Sequence, residues 1–250
     1  MKKTGWIFLA AVIVVAGVFL ADNMKKNVKD SGNILMVTTS CGSFADGRKT
    51  GLWLEEFAVP YLAFVKAGYN VTVANPQGGN TPVDPASVGS DTPEDWAPAL
   101  EMLKKAEKLS SVDPAKFEAV VVPGGHGPLF DLANDKTLAG ILTDFDSENK
   151  IIAAVCHGPA ALTGAVTRNG KALAAGRKMT SFTTKEETLS GLDKEVPFIL
   201  EEKLKEQGAD FLEGDPWSSH VVTDGNLITG QNPQSSAAFA EAVLNALRKK

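Results

Sequence analysis

Cys156 stands at the end of an apolar run, Ile151-Ile-Ala-Ala-Val155, and His157-Gly158-Pro159 follows at once. A cysteine between a strand and a run of small residues has the layout of a nucleophile elbow, a sharp turn that exposes one reactive side chain. A helix starting just beyond it would aim its N-terminus at the sulfur, which predicts a thiol whose pKa is lowered toward thiolate. The plain alternative is an inert, buried cysteine. A second apolar run, Ala119 to Val122, enters Pro123-Gly124-Gly125-His126-Gly127. Such a loop serves either as a tight turn needing positive φ or as a cradle whose backbone N–H groups face a developing oxyanion. A third segment, Gly51-LWLEEFAVP-Tyr61, carries adjacent Glu55 and Glu56. On a helix two adjacent residues point about 100° apart. One of them is then a solvated charge, while the other can lie near the sulfur as a proton carrier with its pKa raised by burial.

These pieces need elements to hold them. The 250 residues are 44% hydrophobic and 22% charged, the composition of a globular protein with room for one large domain. Apolar strands are expected at Ile34–Thr38, Asn70–Ala74, Ala119–Val122 and Ile151–Val155. A helix is expected from about Leu52 to Ala67, stopped by Gly68. Continuous apolar strands alternating with helices predict a mostly parallel sheet covered on both faces. In such sheets sites form beyond the carboxyl ends of the strands. The long Pro/Gly-rich stretch 75–98 predicts a functional loop, after which Thr92, Pro93 and Asp95 resemble a capping box. Val221–Thr223 and Leu227–Thr229 predict a hairpin about Asp224-Gly225, and a last helix is expected from about Pro233 to Leu247. The net charge of −5 argues against a nucleic-acid partner. Two cysteines cannot make a disulfide scaffold, and three histidines without zinc spacing predict no structural metal.

Thr4 to Ala21 is uncharged and flanked by lysines. Residues 1–30 carry +3, so the remainder carries −8. An apolar run of this length predicts an N-terminal hydrophobic helix and a membrane partner. The chain is then expected to be anchored, with residues 1–30 as anchor and linker and 31–250 as an extracytoplasmic, periplasmic α/β domain. A cleaved secretory signal is the alternative, although Phe19 is bulky for a cleavage site after Ala21. A soluble helix is the third reading.

TSCGSFADGRKTGLWLEEFAVPYLAFVKAGYNVTVANPQGG, VVVPGGHGPLFDL, AAVCHGPAAL, MTSFTTKEET and PWSSHVVTDGNLITGQNPQSS together resemble the ThiJ/PfpI superfamily. The similarity is strongest to its heat-shock, glyoxalase III-type branch. It implies a flavodoxin-like sandwich of the class I glutamine amidotransferase type. It implies Cys156 as nucleophile in a Cys-His-Glu arrangement with His157 and Glu187, Glu186 being the fallback. It further implies Glu56 as the carboxylate of the early helix. Oxyanion or substrate binding falls to Gly124, Gly125 and His126, with the backbone N–H groups of Gly125 and His157 as donors. The activity implied is glutathione-independent conversion of methylglyoxal, a small aldehyde, to lactate, with no cofactor, or a related deglycase reaction. The alternatives are a PfpI-type cysteine peptidase or amidase, and a holdase chaperone without turnover. A homodimer is compatible with all of these.

Overall fold

A computed structural model describes residues 32–250, which form one compact unit. The expected N-terminal helix and most of the linker lie outside the described residues.

Each central strand alternates its side chains between two cores, as the pleat requires. In β1 (Asn33–Val37), Leu35 and Val37 enter one core while Ile34 and Met36 enter the other. Helix α1 (Leu54–Lys66) follows and turns Leu54, Phe57, Ala58, Tyr61 and Phe64 onto the second core. Next come β2 (Asn70–Asn75), α2 (Ala97–Leu103), the two-residue β3 (Glu107–Lys108) and β4 (Ala119–Val122). Helix α3 (Lys136–Ser147) covers the first core with Leu138, Ile141, Leu142 and Phe145. Then follow β5 (Ile151–Val155), the four-residue α4 (Ala160–Thr163), β6 (Lys178–Met179), α5 (Thr184–Ser190), α6 (Leu200–Glu206) and β7 (Asp210–Phe211). The chain closes with the hairpin β8 (Val221–Asp224) and β9 (Leu227–Gly230), then α7 (Ser236–Leu247).

Seven strands make one sheet in the order β3-β2-β1-β4-β5-β9-β8, parallel except for β8. β6 and β7 form a separate parallel pair. This is the predicted flavodoxin-like α/β sandwich with helices on both faces. β1 leads to β2 on one side and lies beside β4 on the other, so the sheet reverses direction between them. Crevices for ligands open at such switch points. The register pairs Val122 with Ala154 and Val155 with Gly230, which brings the loops after β4, β5 and β9 to one edge.

Two boundaries differ from the sequence expectation. Thr92 does not cap a helix: its hydroxyl accepts from Gly89 N–H at 3.0 Å, and Pro93 is extended. A 3₁₀ turn (Glu94–Trp96) intervenes, and α2 starts at Ala97 with Pro98 in its first turn, where proline fits. Among the described residues no helix is long and apolar enough to cross a membrane. Helix α1, of 13 residues, is about 20 Å long, against a hydrocarbon core of about 30 Å.

Candidate active site

Cys156 closes β5 in a left-handed conformation, φ 60°, which is rare for a residue with a side chain. Its own N–H donates to Gly230 O at 2.9 Å and its carbonyl accepts from Phe182 N–H at 2.9 Å, so both neighbouring segments hold the bend. The turn also needs Gly158. A Cβ there would sit 2.1 Å from Val122 O. Backbone strain of this kind persists only where surrounding bonds over-determine it, and it concentrates at functional sites.

The elbow sets Sγ 3.3 Å from Nδ1 of His157. On the far side of the ring, Nε2 lies 2.7 Å from Oε2 of Glu187. Glu187 is in the first turn of α5, which Thr183 and Glu186 start with a capping box. Burial acts to raise the Glu187 carboxyl, but the adjacent His157 and His126 more than offset it and hold it well below the usual range. A carboxylate only accepts, so both histidine Nε2 atoms carry the hydrogens. The Nδ1 lone pair of His157 is then free to take a proton from the thiol. Burial, followed by the nearby His126, pushes His157 below its ordinary pKa, which keeps that lone pair available.

Glu56 approaches the sulfur from α1. It is completely buried, whereas its neighbour Glu55 is half-buried. Oε2 accepts from Gly124 N–H at 2.9 Å, and Oε1 makes no full hydrogen bond. Burial raises this carboxyl to about 8. The thiol is pushed well up as well, first by burial and then by the Glu56 charge beside it. This corrects the expected lowering of the Cys156 pKa. Helix α4 has only four residues, and its dipole is small against the loss of water. Each group instead holds its own proton at neutral pH, Glu56 as well as the thiol. When Glu56 keeps its own, its charge no longer opposes a thiolate.

Two of the three residues of the PGGHG loop expected to bind an oxyanion or substrate have partners within the protein. Gly124 lends its N–H to Glu56 rather than to an oxyanion. Its missing Cβ is essential, since one would lie 2.6 Å from His157 N and 2.8 Å from Cys156 Cβ. His126 directs its ring to Glu187. Its Nε2 lies 2.9 Å from Oε1 of Glu187, and its ring centroid is 4.3 Å from that of His157. Gly125, at φ 83°, turns its N–H toward the sulfur. Neither Gly125 N–H nor His157 N–H has a backbone partner. Among the described residues, His126, His157 and Glu187 are the one set of three metal-type donors within 4.8 Å of each other. Their donor atoms are already engaged with one another through the two oxygens of Glu187.

Glu186, the fallback, points away from His157. It accepts from Thr183 N–H and Oγ1, from Trp217 N–H at 2.9 Å and from Asn232 Nδ2 at 2.8 Å. Three residues near the relay carried no chemical mark in the sequence. Phe182 packs its ring 4.5 Å from His157, and Trp217 meets Phe182 edge-on at 5.6 Å. Asp131 accepts from Thr39 Oγ1 and from the N–H groups of Ser40 and Cys41, which ties down the loop carrying Phe44. Phe44 in turn lies 5.4 Å from His126.

Residues 50–246 match the model of the DJ-1/PfpI family. The chain belongs to that family. The "Glyoxalase 3" of Candida albicans is 32% identical over 232 residues, covering 85% of this chain and 97% of that protein. A "Glutathione-independent glyoxalase" of Saccharomyces cerevisiae is 29% identical, covering 86% and 98%. The crystal structure of glyoxalase III from Candida albicans superposes with a TM-score of 0.78 at 31% identity, over 86% of this chain and 97% of that one. These comparisons correct the expected membrane-anchored, extracytoplasmic placement. The glyoxalases are matched over 97–98% of their length by 85–86% of this chain, and the described part contains no helix able to span a bilayer. The apolar stretch that carried the expectation lies outside the described residues.

Proposed function

We propose that this member of the DJ-1/PfpI family is a glutathione-independent glyoxalase that converts methylglyoxal and related small 2-oxoaldehydes to 2-hydroxy acids. The observation that carries this reading is a completely buried carboxyl, Glu56, raised to about 8 and set against the Cys156 sulfur. Acyl transfer to water needs a nucleophile, a base and an oxyanion site, but no second proton carrier at the sulfur. An isomerisation that moves a hydrogen between neighbouring carbons does need one.

The steps balance with water alone. His157 takes the thiol proton as Sγ adds to the aldehyde carbon, and Glu56 gives its own proton to the new alkoxide. This gives a hemithioacetal and a Glu56 carboxylate. Glu56 then removes the hydrogen from that carbon, and the electron pair forms an enediolate. The negative oxygen lies within reach of the N–H groups of Gly125 and His157. Glu56 returns its proton to the adjacent carbon while the hydroxyl proton moves between the two oxygens, giving a thioester of the hydroxy acid. His157, backed by Glu187, passes its proton to solvent and then draws another from water. Hydroxide attacks the thioester, the hydroxy acid leaves as its carboxylate, and the protons of His157 and of the departing acid return to Sγ and Glu56. No oxidant or reductant enters, because one carbon is oxidised as its neighbour is reduced.

The exposure of Cys156 is 4%, which favours a small substrate over an extended peptide and counts against a peptidase. The test is lactate formation from methylglyoxal without glutathione. Turnover by the wild type and none by Cys156→Ala or Glu56→Gln supports the reading. No lactate from the wild type sinks it. Lactate formation that survives Glu56→Gln sinks the assigned proton carrier.

A further inference from the structure

Glu187 is gripped by two imidazoles, and the relay described above uses one. His126 Nε2 holds Oε1 at 2.9 Å while His157 Nε2 holds Oε2 at 2.7 Å. Both side chains of the His126–Glu187 pair are nearly shielded from water. We propose that His126 is a positioning residue of the relay: by occupying Oε1 it fixes the Glu187 carboxylate so that Oε2 meets His157, and it thereby holds the His157 lone pair on Cys156.

Three features support this. First, the terminal torsion of a glutamate is broad and nearly two-fold, so one hydrogen bond leaves the carboxylate free to twist. A second donor, on the other oxygen, removes that freedom. Second, Glu187 is 2% exposed, and a buried carboxylate oxygen without a donor is costly. His126 supplies that donor, so the charge that orients His157 can exist in the interior. Third, His126 is itself held. Its ring lies against Phe44 at 5.4 Å and against His157 at 4.3 Å, with Phe182 flanking His157 at 4.5 Å. The Gly125 turn before it has φ 83°, and a Cβ there would strike Gly51 O at 2.3 Å, so the loop has little room to move. The titratable groups around the relay are Cys156, Glu56, Glu186, Glu187 and His126 itself. Of these, His126 is the one that touches Glu187 without touching the sulfur.

The proposal rests on Cys156 being the nucleophile, but not on the identity of the substrate. It is therefore tested on the full chain in two ways. The first is alkylation of Cys156 by iodoacetamide at neutral pH, followed by mass spectrometry so that Cys41 is counted separately. The second is methylglyoxal turnover. His126→Phe keeps a ring against Phe44 and removes the donor. His126→Gln shortens the contact but keeps an N–H. We expect His126→Phe to slow both alkylation and kcat by about tenfold or more, the scale of a weakened proton relay, with KM within about twofold. His126→Gln should recover most of the loss. A double-mutant cycle guards against a merely misfolded variant, because a Glu187→Gln amide can accept from one histidine only. The pair His126→Phe with Glu187→Gln should lose no more than Glu187→Gln alone. Unchanged alkylation in His126→Phe, equal losses in the Phe and Gln variants, a rise confined to KM, or additive losses in the cycle would each overturn the proposal. A protein that forms no lactate but shows the alkylation pattern would refute the glyoxalase reading and leave this one standing.

Discussion

Glu56 and Cys156 answer to the same neighbour, the absence of water. Burial opposes charge on either group, and the Glu56 charge opposes a thiolate, while the Cys156 thiol, as a hydrogen-bond donor, partly favours charge on Glu56. The consequence extends beyond catalysis to stability. An unfolded glutamate titrates near 4.3, whereas Glu56 in the fold titrates at about 8. Below the unfolded value both states hold the proton, and Glu56 adds no pH dependence. Between the two values the native carboxyl stays neutral while the unfolded one ionises, so the native state binds more protons and stability falls as pH rises. Above the native value the loss is complete. This one residue should tilt the stability curve by up to about 1.4 kcal/mol per pH unit in that window. Glu56→Gln keeps the shape, retains an oxygen for Gly124 N–H and removes the titration. Urea unfolding at pH 5 and pH 8 should show the variant gaining on the wild type at the higher pH. A constant difference across that range would mean that Glu56 is ionised in the fold.

The elements matter here for how closely they approach. β4 and β5 run side by side, and the turn after β5 passes so near Val122 O that only hydrogen fits on Gly158. Gly158→Ala should cost about 3 kcal/mol or more and disable the nucleophile, because the atom it strikes is backbone. Gly140 is the control. It lies within α3, and a Cβ there meets nothing within 4 Å. Gly140→Ala should raise stability by about 0.5–1 kcal/mol, as measured by denaturation midpoint. A second test concerns α5. Glu186 is fully buried and receives donors from the turn at Trp217 and from Asn232. Glu186→Ala leaves buried donors unpaired and should cost about 2–4 kcal/mol, with kcat reduced less than in Glu187→Ala. Equal loss of kcat at the two positions would put Glu186 back in the relay. The large elements were legible in the sequence because burial on both faces writes continuous apolar runs, as in Ala119–Val122 and Ile151–Val155. The small ones were not. β3 is Glu107–Lys108, and β6 and β7 have two residues each, too short to show any period. In the site, the elbow was legible because a cysteine followed by histidine and glycine is unusual at the end of an apolar strand, whereas the choice of Glu56 over Glu55 and of Glu187 came from the family resemblance, since glutamate is an ordinary helix residue. The second imidazole bond to Glu187, the Glu186 support of Trp217 and the Asp131 tie were not. They depend on which way a side chain turns, and ordinary residue types in ordinary spacing do not encode that.

For the molecule as a whole, the two cores on either face of the sheet account for the stability of residues 32–250, and Cys156 is itself part of the second core. The relay draws on α1, the loops after β4 and β5, and α5, so its geometry depends on the sheet being complete. All of these elements lie within residues 32–250. β1 begins at Asn33, whose N–H donates to Glu118 and whose side-chain amide donates to Lys116 O, so the first strand is fastened by the body of the domain itself. The glyoxalases compared above are matched almost end to end by 85–86% of this chain, a share that residues 32–250 are long enough to supply. A protein beginning at Gly32 should therefore unfold in one cooperative transition and melt within about 2 °C of the full chain, since a shift of that size is under 1 kcal/mol for a domain this large. Its kcat on methylglyoxal should match the full chain within about twofold. Calorimetry on both proteins decides the first expectation, and lactate formation the second. A drop in melting temperature of 5 °C or more, roughly 2 kcal/mol on the same scale, would mean that residues 1–31 add contacts to the domain. A drop in kcat at unchanged stability would mean that they reach the site.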